Sequence, residues 1–168
     1  GHRPDRIAGY SDEALEKLTS FAVSQIGPLA PESLISGMAL GWDTACALAA
    51  LDMGVGLVCA VPHPAYAGRW PEREQSRLAR ILALSERVEI IALGEIKASM
   101  FARNKFLVDN CDIILALFDG SMGGTFHTIR YANYKERPVL NVWSEWTTYA
   151  GGETLKKSTL DLIHEIEY

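Results

Sequence analysis

The sequence predicts an α/β domain in which a mainly parallel sheet is flanked by helices in three layers. Short apolar, β-branched runs alternate along the chain with longer helical patterns. The apolar runs lack polar alternation, which is typical of strands that are buried on both faces of a parallel sheet. Parallel strands need long crossover connections, and the helical patterns between the runs supply them.

The first half of the chain contains helix and strand patterns in the order that such a domain needs. Ser11, followed by two acidic residues, predicts the start of an amphipathic helix that runs to about Ile26, where two prolines end it. The next predicted elements are a strand over 33–36, a small-residue helix over about 42–53, an apolar strand over 55–61 and a helix over about 71–86. Pro71 and the acidic residues after it favour the start of that last helix.

The second half continues the alternation and predicts a Rossmann-like arrangement. Its predicted elements are strands over 88–93, 112–118 and 138–142, helices over about 96–110 and 124–135, and a last amphipathic helix from about Thr154 to Ile166. No repeat or linker divides the sequence, so we expect a single domain over residues 1–168.

The start of the sequence departs from this pattern. A doubly wound sheet normally begins with a strand, whereas Gly1 to Pro4 reads as the loop that follows one. Either that strand has been removed, or the fold tolerates its absence.

Composition and charge exclude several functional classes. Sixteen Lys and Arg against 21 Asp and Glu give a net charge of −5, which argues against a protein built mainly to hold nucleic acid. No apolar run approaches the roughly 18 residues that cross a bilayer, so we expect a soluble protein. The three cysteines form no metal-ligand motif and read as reduced, buried thiols. We therefore expect a cytoplasmic protein without a metal or other cofactor.

Two glycine-rich stretches follow predicted strands and open helices, where parallel sheets bind ligands. The first is Ser36–Asp43, and its candidate binding residues are Ser36, Gly37, Met38 and Gly41. The second follows the strand over 112–118, and its candidates are Asp119, Gly120, Ser121, Gly123, Gly124 and Thr125. Glycines at helix N-termini could cradle a phosphate, or they could serve only the geometry of tight turns.

Other candidates come from the loops and from the helix before the second stretch. Arg103, next to Asn104, could hold a phosphate through its guanidinium or could be a solvated surface residue. His63, Tyr66 and Trp70 stand in a Pro-rich loop that could stack on a base or cap the core. His2 and Arg3 would also face the crevice.

Five motifs, taken in order, resemble the YpsA-like branch of the SLOG superfamily. They are Gly1–Pro4, Ser36–Asp43, Ala60–Pro64, Arg103–Asn104 together with Val108–Asp112, and Gly123–Thr125. This superfamily groups the DprA single-strand DNA-binding proteins and the LOG cytokinin-activating enzymes. The resemblance spans about residues 1–143 and implies a Rossmann-like domain that binds a nucleotide or nucleotide-derived ligand. It also implies a strand just before Gly1, which relatives carry.

LOG enzymes hydrolyse the N-glycosidic bond of a nucleoside 5′-monophosphate with an Arg and a Glu, and the resemblance implies that Arg103 stands at the Arg position. The Glu position is occupied by Thr128, whose hydroxyl neither carries charge nor titrates near neutrality. Asp43 or Asp119 could supply a carboxylate from another loop, or each could serve as a helix cap or turn residue.

The leading functional hypothesis is a sensor or regulator that binds a nucleotide or nucleotide sugar. The alternative is a nucleotide N-glycosidase, a hydrolase in which Asp43 or Asp119 is catalytic. DNA binding of the DprA kind is weakened by the acidic composition, so we do not expect a nucleic-acid partner or a membrane. A homodimer is plausible because SLOG relatives often pair through helices.

Overall fold

The computed structural model describes residues 1–151, which contain six α-helical segments, five strands and two 3₁₀ turns. In chain order the elements are α1 (Asp12–Ile26), β1 (Ser33–Ser36), α2 (Trp42–Met53), β2 (Gly56–Val61), α3 (Glu72–Leu84), β3 (Arg87–Ile90), α4 (Ile96–Asp109), β4 (Ile114–Ala116), α5 (Gly124–Tyr134) and β5 (Val139–Asn141). Single 3₁₀ turns cover Pro4–Arg6 and Gly27–Leu29, and residues 143–151 are helical.

All strand pairs within this part of the chain are parallel. Strands β1, β2 and β3 form one sheet in that order, with Ser36 opposite Cys59 and Val61 opposite Ile90. Strands β4 and β5 form a second sheet, with Ile114 opposite Val139. Helices flank the strands, so the predicted α/β, Rossmann-like class is confirmed. The expected single sheet, however, is split between β1 and β4.

The sequence of α1 explains both its start and its buried face. The Ser11 hydroxyl accepts a hydrogen bond from Ala14 N at 3.1 Å, and two acidic residues occupy the first turn near the positive end of the helix dipole. Leu18, Phe21 and Ile26 recur at helical spacing and are almost fully buried. This face packs against α2.

Two hydrophobic clusters share α2 as their common wall. One joins α1, α2 and the β4–β5 region, and its largest members include Phe21, Trp42 and Trp146. The other joins α2, β2 and α3 through residues such as Leu57 and Ile81. The alanine-rich α2 sequence presents small side chains on both sides, which allows close approach of its neighbours.

The largest difference from the predicted elements lies after β5. Residues 143–151 are helical where no helix was predicted, and Trp146 of this segment packs against Phe21 at a ring separation of 5.2 Å. The predicted helix from Thr154 to Ile166 lies outside the described residues. Within residues 1–151, every helix is too short or too polar to cross a membrane.

Candidate functional site

A cavity of about 620 Å³ runs along β1 and β4 and extends to the loops beyond their carboxyl ends. Its polar mouth is formed by the first residues of the chain, the loop after β1, part of α4 and the start of α5. Deeper in, mainly apolar side chains of β1 and β4, including Leu34, Ile35 and Leu115, line a groove between the two sheets. The mouth is a candidate ligand site, because ligands of parallel sheets bind beyond the carboxyl ends of the strands.

Arg103 is the most deeply buried cation of the mouth, with 8% of its surface exposed. Its Nη1 donates to Gly37 O and lies 3.6 Å from Asp43 Oδ2, while its Nε donates to Asn104 Oδ1 at 2.9 Å. These bonds fix the guanidinium plane and connect α4 to the loop after β1. Nη2 has no acceptor within the described residues, so it is the guanidinium nitrogen still free to bind an anion.

Asp43 stays ionised in this environment. Burial would raise the pKa of its carboxyl, but the Gly1 nitrogen at 3.0 Å and the Arg103 guanidinium hold that pKa below its usual value. Ala39 N also donates to Oδ2, at 3.4 Å. A carboxylate with these partners is unsuited to act as a general acid near neutral pH.

The loop after β1 is held by its own hydrogen bonds. Ser36 Oγ donates to Asp43 O at 2.8 Å and accepts from Met38 N at 3.2 Å. A Cβ on Gly37 would overlap Arg103 Nη1 and lie 2.8 Å from Asp43 Oδ2, so Gly37 allows the Arg103 contact with the backbone. The sequence predicted that Gly37 permits close approach of a ligand, and the group that approaches it is the arginine.

The N-terminus of α5 is open. Gly123 is its N-cap residue and provides no side-chain acceptor. The N–H groups of Gly124, Thr125 and Phe126 have no acceptor within the described residues. Thr125 Oγ1 donates to Gly1 O at 3.1 Å, which holds the helix start against the first residue. Free N–H groups at the positive end of a helix dipole form an anion-binding surface.

The loop before α5 is bound to the first residues of the chain. Asp119 Oδ1 accepts from Ser121 N at 2.8 Å and lies 2.7 Å from His2 Nε2. Hydrogen bonds from Ser121 and the nearby His2 lower the pKa of Asp119 to about 2. Arg6 Nη1 donates to Ser121 Oγ at 2.6 Å. Asp119 therefore serves as an ionised turn residue in this structure.

The cavity brings together many of the predicted site residues. Those that line it are His2, Arg3, Ser36, Gly37, Asp43, Arg103, Asn104, Ser121, Gly123, Gly124 and Thr125. Those outside its lining are Met38, Gly41, His63, Trp70, Asp119 and Gly120. The residues of the lining come from four separate parts of the chain, and topology rather than sequence proximity joins them.

Met38 and Gly41 serve the fold around the loop. Met38 is 1% exposed and packs in the cluster around β2, and it has a left-handed φ of 54°. Gly41 has φ 94°, and a Cβ there would lie 2.5 Å from His2 O. Trp42 N donates to His2 O at 3.4 Å, so the N-terminus of α2 is covered by the first residues of the chain. The N-terminus of α2 is thus partly occupied, whereas that of α5 is open.

The aromatic loop after β2 is occupied with contacts of its own. Tyr66 OH donates to Met38 O at 2.9 Å, and the Tyr66 and Trp70 rings meet edge to face at 5.1 Å. His63 Nδ1 accepts from Ala65 N at 3.0 Å. These contacts fit the capping interpretation of the loop, and base stacking stays a prediction.

Two residues were missed from the sequence, Lys97 in the cavity lining and Asn141 outside that lining. Lys97 lines the cavity, and neither Lys97 nor Arg3 forms an ion pair within residues 1–151. Asn141 accepts from Phe118 N at 3.1 Å and donates to Phe118 O at 2.9 Å, which fixes the exit of β4. A signal for Lys97 was its place in the first turn of the helix that carries Arg103, whereas nothing in the sequence pointed to Asn141.

Several positively charged groups line the cavity, and no metal cluster accompanies them in the described residues. The described residues contain no group of three or more His, Cys, Asp or Glu side chains that could hold a metal ion. The exposed cations Arg3 and Lys97, the buried Arg103 and the first residues of α5 all line the same cavity. Four positive groups from three parts of the chain therefore border one cavity in a protein that is acidic overall.

Comparison with protein families gives one match that covers nearly the whole chain. The model of the family described as DNA recombination-mediator protein A matches residues 8–167. This family lies within the SLOG superfamily, so the predicted superfamily is confirmed, while the YpsA-like branch stays a prediction. No curated protein matches the chain. The match begins after His2, Arg3 and Arg6, which complete the mouth of the cavity.

Proposed function

The chain belongs to the DNA recombination-mediator protein A family, and we propose from this membership and from the cavity that it binds a phosphorylated nucleotide ligand. The observation that carries the proposal is the open N-terminus of α5. Its free N–H groups come from Gly124, Thr125 and Phe126, and the first two of these residues line a cavity that also holds unpaired cations. A phosphate group is the biological anion that helix N-termini commonly bind.

In this proposal the phosphate lies against the first turn of α5. Each backbone N–H donates to a phosphate oxygen, and the Arg103 Nη2 supplies a further charge-assisted bond. Arg3 and Lys97 stand at the rim, where exposed cations raise the local concentration of an anion before it binds. Gly123 and Gly124 leave room for this approach, since a Cβ on Gly123 would meet nothing within 4 Å.

The nucleoside part is proposed to extend over the polar mouth beside Asn104. The carboxylate of Asp43 also lines the cavity and can accept hydrogen bonds from ribose hydroxyls. Trp70 and His63 take no part in this arrangement because neither lines the cavity. The ligand is therefore recognised mainly by its phosphate and sugar.

A second candidate function is the binding of a single-stranded DNA end. The name of the matched family refers to DNA recombination, and a terminal phosphate would suit the same helix N-terminus. The net charge of −5 opposes extended contacts along a DNA backbone. A DNA strand would consequently be held at its end rather than along a basic surface.

Calorimetric titration separates these candidates. The probes are a nucleoside, its 5′-monophosphate, ribose 5-phosphate, inorganic phosphate and an oligothymidylate with or without a 5′-phosphate. The proposal expects binding of the monophosphate and none of the nucleoside. Tighter binding of the phosphorylated oligonucleotide than of the monophosphate would support the DNA candidate. Binding of the nucleoside as tight as that of its monophosphate would contradict both.

A matched pair of variants on α4 tests the cavity itself. Lys97→Gln removes a cation of the cavity lining, whereas Lys105→Gln removes one from the same helix outside that lining. We expect weaker phosphate binding only in the first variant. Chromatography of the same mixtures detects release of free base, which would support the N-glycosidase alternative. The low pKa of Asp43 and that of Asp119, about 2, argue against either as its general acid.

A further inference from the structure

Strand β3 forms the edge of its sheet, opposite the side that carries the cavity. Within residues 1–151 it pairs only with β2, so its other side has no strand partner. Its sequence, Arg-Val-Glu-Ile, contains neither the lysine nor the proline with which proteins often protect an exposed edge. An edge of this kind is a template for pairing with a further strand.

Apolar side chains are exposed along this edge. Val88 is 41% exposed and Ile90 is 53% exposed, whereas strands of parallel sheets are normally buried on both faces. Leu84 at the end of α3 and Leu93 after β3 are still more exposed. In the part of the chain that the structure describes, five of the eleven exposed large apolar side chains lie within residues 84–96. Exposed apolar surface is therefore concentrated at this edge.

The register of β2 and β3 shows which backbone groups face outward. Val61 lies opposite Ile90, and Ile91 N donates to Val61 O at 2.9 Å. Alternate residues of a parallel strand bond to opposite sides, so Glu89 also bonds toward β2. Val88 and Ile90 therefore direct their N–H and C=O groups to the free edge. These outward groups have no backbone partner within residues 1–151.

The charges on β3 are complementary to those of a second copy. Arg87 and Glu89 flank Val88, and within one chain Arg87 Nε lies 3.1 Å from Glu89 Oε1. When two copies of β3 pair antiparallel with Val88 at the centre, each Arg87 lies opposite the partner's Glu89. This centre also places the outward N–H and C=O of Val88 opposite the same groups of the partner, as a hydrogen-bonded pair requires. With Glu89 at the centre, two carboxylates would oppose each other, which is unfavourable.

We propose that β3 pairs antiparallel with β3 of a second copy of this chain, with Val88 at the twofold axis and Arg87 opposite the partner's Glu89. The pairing joins two sheets into one, covers the apolar side chains of Val88 and Ile90 on one face and forms two ion pairs on the other. The contact is small, so the dimer is reversible. This interface differs from the pairing through helices that the resemblance implies, and it does not depend on which ligand the mouth binds.

Sedimentation velocity at chain concentrations from about 5 to 500 µM tests the pairing. The wild-type chain should pass from monomer to dimer within this range. Arg87→Glu and Glu89→Arg should each raise the dissociation constant at least about tenfold, because each places like charges opposite each other twice. An equimolar mixture of the two variants should form dimers again, since one then carries two arginines where the other carries two glutamates. Recovery in the mixture also shows that both variants are folded.

Two further measurements separate strand pairing from other association. The Val88 amide should exchange hydrogen at least about tenfold more slowly at the highest concentration than at the lowest. Arg80→Glu makes the same change of charge on α3, outside β3, and is the matched control for Arg87→Glu. We expect this control to dimerise like the wild-type chain.

Four results would overturn the proposal. A wild-type chain that stays monomeric throughout the range would exclude the dimer. A dimer that both charge variants retain would assign the association to another surface, such as the helices. A mixture that stays monomeric would exclude the register that pairs Arg87 with the partner's Glu89. A Val88 amide that is already protected in the dilute monomer would show that another part of the same chain covers the edge.

Discussion

Replacing Gly123 by aspartate should weaken ligand binding while it stabilises the start of α5. Gly123 precedes the helix without a side-chain cap, and a Cβ on it would meet nothing within 4 Å. Its φ of 161° is extended backbone that any residue adopts. The Asp carboxylate can therefore accept the free N–H groups that we propose for the phosphate.

The expected changes in the free energy of unfolding and in the Kd follow from the hydrogen bonds that the carboxylate gains and the phosphate loses. An N-cap aspartate in place of glycine, with its charge at the positive end of the helix, adds about 0.5–1 kcal/mol to the free energy of unfolding. The phosphate loses at least one hydrogen bond to a charged oxygen, worth about 2 kcal/mol, which raises its Kd by a factor of about 30. Repulsion between the two anions adds to this loss.

The assay measures both quantities on the same samples. Calorimetric titration with a nucleoside 5′-monophosphate gives the Kd, and thermal unfolding without ligand should show a melting temperature raised by about 2 °C. Gly123→Asn is the matched control, because it offers a capping oxygen without a charge. We expect its Kd between those of the wild-type chain and Gly123→Asp.

Either of two results with Gly123→Asp would contradict this prediction. An unchanged Kd in Gly123→Asp would show that the phosphate does not use the N-terminus of α5. A melting temperature lowered by several degrees would show that the glycine is needed for the loop, so that any loss of binding would reflect a damaged fold.

Three further predictions concern the residues around the mouth. Arg103→Met should lower the free energy of unfolding by about 3 kcal/mol in urea titrations, because it leaves the buried Asp43 carboxylate without its guanidinium partner. A loss below about 1 kcal/mol would contradict the ion pair. Gly41→Ala should cost about 2 kcal/mol in thermal unfolding, since φ is 94° and the new methyl would lie 2.5 Å from His2 O; full stability would disprove that contact. The Asp119 carboxyl should titrate near pH 2 by NMR, so its contribution to the free energy of unfolding is present above about pH 4 and lost as the pH falls toward 2. Asp119→Asn should remove this loss of stability in acid, and titration of the carboxyl above pH 4 would contradict the prediction.

The regular elements could be predicted because their signals are local. The hydroxyl and acids at the start of α1 and the unbroken apolar run of β2 determine those elements within a few residues. The residues at which the strands begin and end could be predicted less well. The apolar run at 112–118 forms only the short strand β4, because strand length depends on which partner edge is present.

The location of the candidate site could be predicted, but the roles of its residues could be predicted less well. Gly-rich loops after β1 and β4 identified the crevice, and most of the predicted residues line it. The role of Gly41 could not be foreseen, because its partner His2 O is 39 positions away and reaches it only through the fold. The helix over 143–151 was missed for a similar reason, since its stability comes from packing of Trp146 on Phe21.

The hydrogen bonds of the first residues also bear on how the domain assembles during synthesis. Gly1 meets Thr125 across 124 positions, and Arg6 meets Ser121 across 115. Contacts of such high sequence separation form late, because the intervening chain must first be ordered. On the ribosome these residues emerge before their partners on α5 exist. The mouth of the cavity thus closes only near the end of folding, after the chain up to α5 has folded.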